Sequence, residues 1–292
     1  MTSVMTVDEF VAAAKSFKGE MAKTSNLQEL HALWRQTSYA YSFGSSDPFS
    51  TEHKHEVLKV YEALCDATYE VSNEVTSATQ TPEQFKTGYP WVSKDLGVVA
   101  TEMGKSVQAM RVFNQHMPNA RRFIEFGSGW GNLAVPLARA GMDVTTIDID
   151  VGFLKRMTDE AHALGLSIET IQGDFLEAAQ SINTPFDAVV FCSSFHHCLD
   201  FSDLLTELRE RVVNPDGGKI FFLAEPISDA YSFPWGLRYD GESVWAITCN
   251  HWLELGFTEE FFREALDRTG FIGERHEDPT GFVGAYWVAT PK

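Results

Sequence analysis

The sequence predicts an α/β fold: a doubly wound, mostly parallel sheet preceded by a helical N-terminal region. Three observations carry this expectation. From about residue 119, short apolar runs alternate with stretches of helical length, which implies right-handed βαβ units covered on both faces. The first of these runs breaks at once into glycines, in "FIEFGSGWGN" at 123–132. Before residue 118 the apolar spacing is helical instead. The expected organisation is therefore a helical region over 1–118 and an α/β domain over 119–292, with 226–256 as an insertion in that domain.

In chain order, Thr6 and Glu9 form a candidate capping box for a helix over "VDEFVAAAKSF". Leu30, Leu33 and Trp34 mark a second helix. Val57, Tyr61, Leu64 and Tyr69 mark a long third one across 51–75. "TPEQFKTGYPWVS" at 81–93 is turn-like and aromatic, and a further helix follows to the Pro118 region. The second half then reads strand, helix and strand in turn: "RRFIEF", "GNLAVPLARAG", "DVTTIDID", "VGFLKRMTDEAHALG", "SIETIQG", "FDAVVFCSS", "FSDLLTELRERVV" and "GKIFFLAE". After the irregular stretch 226–256 come the helix "TEEFFREALDRTG" and two last runs. Those two are joined by "DPTG" with no room for a helix, so they should pair antiparallel.

Composition narrows the function. The formal charge is −18, from 23 Lys plus Arg against 41 Asp plus Glu. Such a surface repels polyanions, so no nucleic-acid partner is expected. No run approaches 18 uninterrupted apolar residues, so no membrane span is expected. The four cysteines have no regular spacing and read as reduced thiols, which points to the cytoplasm. The start has no basic segment leading into an apolar one, as a secretory signal would. His53 and His55 flank Lys54 without a third ligand nearby, so no metal is expected.

In a doubly wound sheet the ligand lies beyond the carboxyl ends of the strands. Gly127, Gly129 and Gly131 follow the first strand directly and let a ligand approach the backbone. A helix starting near Asn132 would aim its N–H groups at the same place. Gly129, Gly131 and Ala134 satisfy the dinucleotide pattern G-x-G-x-x-A, which alone is weak. Glu125 points elsewhere: a carboxylate there repels a pyrophosphate but accepts hydrogen bonds from an amino acid's ammonium group. Asp148, at the end of the second strand, suits ribose hydroxyls and does not discriminate. Asp174 can accept from an adenine amino group and Phe175 can lie against its ring.

Through "EFGSGWG", "TIDID", "GDF", "FDAVVFCSSFHH", "NPDGGKIFFLAE" and the terminal hairpin, residues 118–292 resemble the class I S-adenosylmethionine-dependent methyltransferases. The resemblance implies a Rossmann-like seven-stranded sheet of order 3-2-1-4-5-7-6 with strand 7 antiparallel. It implies that Glu125, Gly127, Ser128, Gly129, Gly131 and Asn132 hold the methionine part of S-adenosyl-L-methionine. Asp148 and Ile149 would hold the ribose, and Asp174 and Phe175 the adenine, with Cys192 beside them. In this family N-terminal helices often cap the site or build a homodimer.

The expected acceptor is a small polar molecule. His196 and His197 leave the fourth strand and are the candidate base for a hydroxyl acceptor. The Asn-Pro-Pro-Tyr motif of amino methylation is absent. Trp235, Arg238, Tyr239 and Asp240 of the insertion, with Glu225 before it and Tyr89 and Trp91, combine stacking faces with hydrogen-bonding groups. They suit a sugar or natural-product hydroxyl. An amine acceptor, an NAD-type oxidoreductase and a non-catalytic cofactor-binding protein are the alternatives.

Overall fold

A computed structural model describes residues 4–24, 27–42, 44, 46–76 and 80–292. The chain forms two compact units. One contains Met1–Glu74, His196–Leu199 and Pro226–Glu264; the other contains Val75–Phe195, Asp200–Glu225 and Ala265–Lys292. The division differs from the expected boundary at 118. Residues 75–118 belong with the sheet, and the insertion belongs with the first 74 residues.

The sheet unit holds seven strands: β1 Arg122–Phe126, β2 Asp143–Asp148, β3 Glu169–Gln172, β4 Ala188–Cys192, β5 Lys219–Leu223, β8 Phe271–His276 and β9 Tyr286–Pro291. Their order is β3-β2-β1-β4-β5-β9-β8. The first five pair in parallel, and β9 runs antiparallel to both β5 and β8. This is the expected topology, terminal hairpin included. Glu125 lies beside Thr146 and Phe126 beside both Ile147 and Phe191, so the carboxyl ends of β1, β2 and β4 finish level. On one face Phe113, Phe123, Val190, Phe221 and Leu223 share a core with Met157 and Ala161. On the other, Phe126, Phe191 and Phe222 stack in a row with centroids 4.9 and 5.4 Å apart.

The helices of this unit are α4 Pro82–Thr87, α5 Leu96–His116, α6 Ala134–Arg139, α7 Val151–Ala163, α8 Phe175–Ser181 and α9 Phe201–Glu207. The helix α4 was not expected. Its start is a capping box, with Thr81 and Gln84 each bonding the other's backbone N–H and Pro82 at the first position. The helix α6 is short and starts at Ala134, two residues later than the sequence suggests. Residues 128–133 form turns instead, closed by the Gly131 N–H on Ser128 O at 2.8 Å.

The other unit holds α1 Val7–Met21, α2 Leu27–Gln36, α3 Thr51–Cys65, α10 Gly241–Trp245 and a two-stranded antiparallel sheet of β6 Trp235–Leu237 and β7 Leu255–Phe257. The last helix, α11 Glu259–Arg268, begins in this unit. The capping box at Thr6 and Glu9 forms as expected. The helix α3 stops at Cys65, well short of Val75, because Asp66 takes the left-handed conformation at φ 55° and ends it. The core is aromatic: Phe10 stacks on Tyr41 at 4.4 Å, and the Tyr41 hydroxyl donates to Leu237 O. Among the described residues no helix is long and apolar enough to cross a membrane.

Candidate functional site

The three glycines of the loop after β1 have two different reasons. A Cβ on Gly127 would lie 2.6 Å from Ser194 Cβ, and one on Gly131 would lie 2.7 Å from Met157 Cγ. Both therefore permit close packing at positive φ. Gly129 is also at positive φ, 47°, yet a Cβ there meets nothing within 4 Å. Its side faces open space.

The acidic residues around this loop differ in state. Asp148 is buried and tied down: its Oδ2 accepts the Gly129 N–H at 2.8 Å and its Oδ1 the Asp150 N–H at 2.9 Å. It locks the glycine loop to the end of β2. Glu125 is 4% exposed, and its Oε2 has no hydrogen-bond partner. Burial pushes the Glu125 carboxyl up to about 8; the charge of Asp148 adds to this, and the Ala134 N–H offsets a little. Ser128 is buried with its hydroxyl likewise unpartnered. Two orphaned buried polar atoms flank a bare loop. A ligand ammonium would satisfy the first, and an acceptor or donor group the second.

Asp174 caps α8, its Oδ1 accepting the Leu176 and Glu177 N–H groups at 2.9 and 3.0 Å. Phe175 opens that helix and meets Phe126 and Phe191 edge-on at 5.7 and 5.9 Å. Ile149 and Asn132 are half-buried at the tips of the second and first loops. The Asn132 carbonyl accepts the Ser106 hydroxyl at 2.8 Å. Burial pushes the Cys192 thiol up, with Glu125 and Glu225 adding to it, so it is an inert neutral group.

Sequence reasoning missed Ser194 and Asp150. The Ser194 hydroxyl donates to Phe126 O at 2.6 Å, joining the ends of β1 and β4. Asp150 caps α7 through Gly152 N–H and also holds the Thr76 N–H at 2.9 Å. Glu225, expected on the acceptor side, holds the β4 loop instead: its Oε1 accepts the Ser194 and Phe195 N–H groups at 2.7 and 3.0 Å. Tyr89 is half-buried and Trp91 is 51% exposed, in the turn before α5.

In the other unit, the insertion residues have partners within the protein. Trp235 is 3% exposed; its indole N–H donates to Pro48 O and its ring lies 5.0 Å from His53. It packs β6 and offers no wall to a ligand. Tyr239 is buried with its hydroxyl on Ala230 O. Arg238 pairs with Asp240 and Glu254, both at 3.0 Å. Asp240 caps α10 through Ser243 N–H. It also lines a cleft of about 450 Å³ with His31, Trp34, Arg35, Ser38 and Glu242. His53 is 1% exposed and bonded to Trp235 O at 3.0 Å.

His196 and His197 sit side by side, rings 4.3 Å apart. His196 Nε2 lies 3.6 Å from Glu254 Oε2, and His197 Nδ1 lies 3.2 Å from Glu74 Oε2. Glu74 Oε1 meanwhile accepts the Leu253 N–H at 2.8 Å. The carboxylate pairing could not be read from the sequence, since residues 74 and 254 are far from the histidines along the chain.

Residues 123–217 match the family model described as a methyltransferase domain. Over that stretch the chain is similar to a methyltransferase domain. The match covers β1 through the approach to β5, which is where the bare glycine loop and the orphaned carboxylate lie. A curated protein of Geobacillus sp. (strain WCH70), provisionally named a methyltransferase, is 28% identical over 115 residues. That is 39% of this chain, and the chain spans 46% of that relative's length. The magnesium protoporphyrin IX methyltransferase of Synechocystis PCC 6803 with bound S-adenosylmethionine is similar in fold, with TM-score 0.50 and 14% identity over 86% of this chain and 100% of that one. A glycopeptide N-methyltransferase complexed with sinefungin has TM-score 0.50 and 17% identity, over 64% of this chain and 94% of that one. The class I methyltransferase fold accounts for the antiparallel β9 and for the placing of the open loop at the carboxyl end of β1.

Proposed function

We propose that the chain transfers the methyl group of S-adenosyl-L-methionine to a hydroxyl of a small polar molecule. The observation that carries this reading is Glu125: a buried carboxylate whose free oxygen stands beside a glycine loop open at Gly129. An ammonium group would hold its ionised form, whereas a pyrophosphate would meet the charge of Asp148 and gain nothing from Glu125. Gly127, Ser128, Gly129, Gly131 and Asn132 would surround the methionine part. Asp148 and Ile149 would take the ribose. Asp174 and Phe175, with Cys192, would frame the adenine.

Methyl transfer from a sulfonium is an in-line displacement, so holding the nucleophile in place supplies much of the rate, roughly 7–11 kcal/mol of barrier lowering. A hydroxyl nucleophile must also lose its proton. His196 and His197, each facing a carboxylate, are the groups we assign to that proton. Arg238 and Asp240 act behind them, Arg238 by holding Glu254. The similar proteins name a porphyrin and a glycopeptide in their titles, which are unlike acceptors and do not choose one here.

Thermal stabilisation by S-adenosylhomocysteine but not by NAD is the expected first result. Stabilisation by NAD alone would replace this reading with an oxidoreductase. For the acceptor, His196→Ala or His197→Ala should lower kcat about 10²–10⁴-fold with cofactor affinity unchanged. Intact turnover in both variants would favour an amine acceptor, which needs no base before attack.

A further inference from the structure

We propose that His196, His197 and Glu254 bind one divalent transition-metal cation, of the borderline class to which zinc and cobalt belong. A ligand atom from each of the three lies within 4.8 Å of the other two. Donors about 2.1 Å from a common ion stand roughly 3–3.5 Å apart, so small side-chain rotations close the set. His196 Nε2 and Glu254 Oε2, at 3.6 Å, are almost there. Two imidazoles with one carboxylate form a mixed nitrogen and oxygen set, which suits such ions better than magnesium or calcium.

Charge and burial give independent support. Glu254 is 7% exposed, and its Oε2 lies 3.0 Å from Arg238 and 3.6 Å from His196. Asp240 and Glu254 share the Arg238 guanidinium, and Glu74 stands against His197. A divalent cation among these buried carboxylates would add to the positive charge that holds them, and burial makes that balance matter. Glu74 stands 3.2 Å from His197 Nδ1, where it orients the ring, as carboxylates do behind metal-bound histidines.

The inference deepens the methyltransferase reading and rests on it for its purpose. A bound cation would take the acceptor's oxygen and lower its pKa, and the two histidines would then serve the proton's departure as ligands of that cation in place of acting as the free base. The test needs neither cofactor nor turnover, so the two readings fail separately. The full chain, freed of metal with a chelator, is titrated with Zn²⁺ by calorimetry and with Co²⁺ by visible absorption. One equivalent should bind at micromolar concentration or below, with a d–d band for Co²⁺. Glu254→Gln should weaken binding at least about 100-fold, beyond the 10–100-fold loss typical of a merely supporting group. Because Glu254→Gln also strips Arg238 of a partner, His197→Asn at a partly exposed position is the second variant, and should show the same loss while melting cooperatively. Absence of saturable uptake by the wild type would overturn the proposal. So would uptake unchanged in both folded variants.

Discussion

The glycine loop and the insertion both present buried polar side chains, and they treat them in opposite ways. In the insertion the side chains expected to meet a substrate are paired within the unit: Trp235 on Pro48, Tyr239 on Ala230, Arg238 between Asp240 and Glu254. At the loop, Glu125 Oε2 and Ser128 Oγ are buried without partners, beside a glycine with nothing in front of it. Indole and imidazole nitrogens of Trp34, Trp252 and His276 are buried without hydrogen-bond partners elsewhere, but Glu125 is the carboxylate among them, and an unpaired carboxyl oxygen is the costliest of these groups to leave bare. Residue type alone did not separate the two regions. Both are rich in groups that recognise small molecules, and only the partners reveal which are occupied by the protein itself.

That contrast can be broken most severely at Gly129. Gly129→Val should abolish binding of S-adenosylhomocysteine while the protein still unfolds cooperatively. The side chain would fill the open face and strain the backbone at φ 47°. Calorimetry on the folded variant decides, and normal affinity would mean that the open face is not the ligand's.

Next in size, Trp235→Ala should destabilise the protein by about 3–5 kcal/mol, as truncating a buried aromatic does. Cofactor affinity should not change. Urea unfolding with a parallel binding titration would show it. A loss of stability below about 1 kcal/mol joined to a loss of turnover would restore Trp235 to the substrate wall, since packing carries the larger cost.

A smaller effect is expected at Asp148. Asp148→Ala should weaken S-adenosylmethionine by roughly 1.5–3 kcal/mol, the range for charge-assisted hydrogen bonds. The carboxylate also holds the Gly129 N–H, so the loop should loosen as well, visible as faster amide exchange at Gly129. An unchanged dissociation constant would take Asp148 out of the site.

The sheet was legible because its signals are local. Alternating runs, glycines at the end of β1 and acids at the ends of β1 and β2 all lie in short windows. The strand order came from the family resemblance rather than from periodicity. What stayed hidden depends on residues far apart in sequence. The three-residue strands β6 and β7 are too short for a periodic pattern. Ser193 and Ala224, at φ 55° and 54° after β4 and β5, carry no glycine to announce the turn. Glu225 could be read only as an acid near the acceptor, because the register that brings it to Ser194 N–H is a property of the folded sheet. The pairing of His197 with Glu74 was invisible for the same reason.

Glu125 offers the most direct test of the central claim, that this loop holds a ligand's ammonium group. Its folded carboxyl is pushed up to about 8 from an ordinary 4.5. The folded protein therefore binds more protons there than the unfolded chain between those values, and this residue's contribution to stability falls as pH rises from about 4.5 to 8. Binding an ammonium group requires the ionised form. Calorimetric titration with S-adenosylhomocysteine at pH 7, in two buffers of different ionisation enthalpy, should show release of close to a full proton. Glu125→Gln should bind more weakly and release none. Tight binding by the wild type without proton release, or equal affinity in Glu125→Gln, would contradict the account.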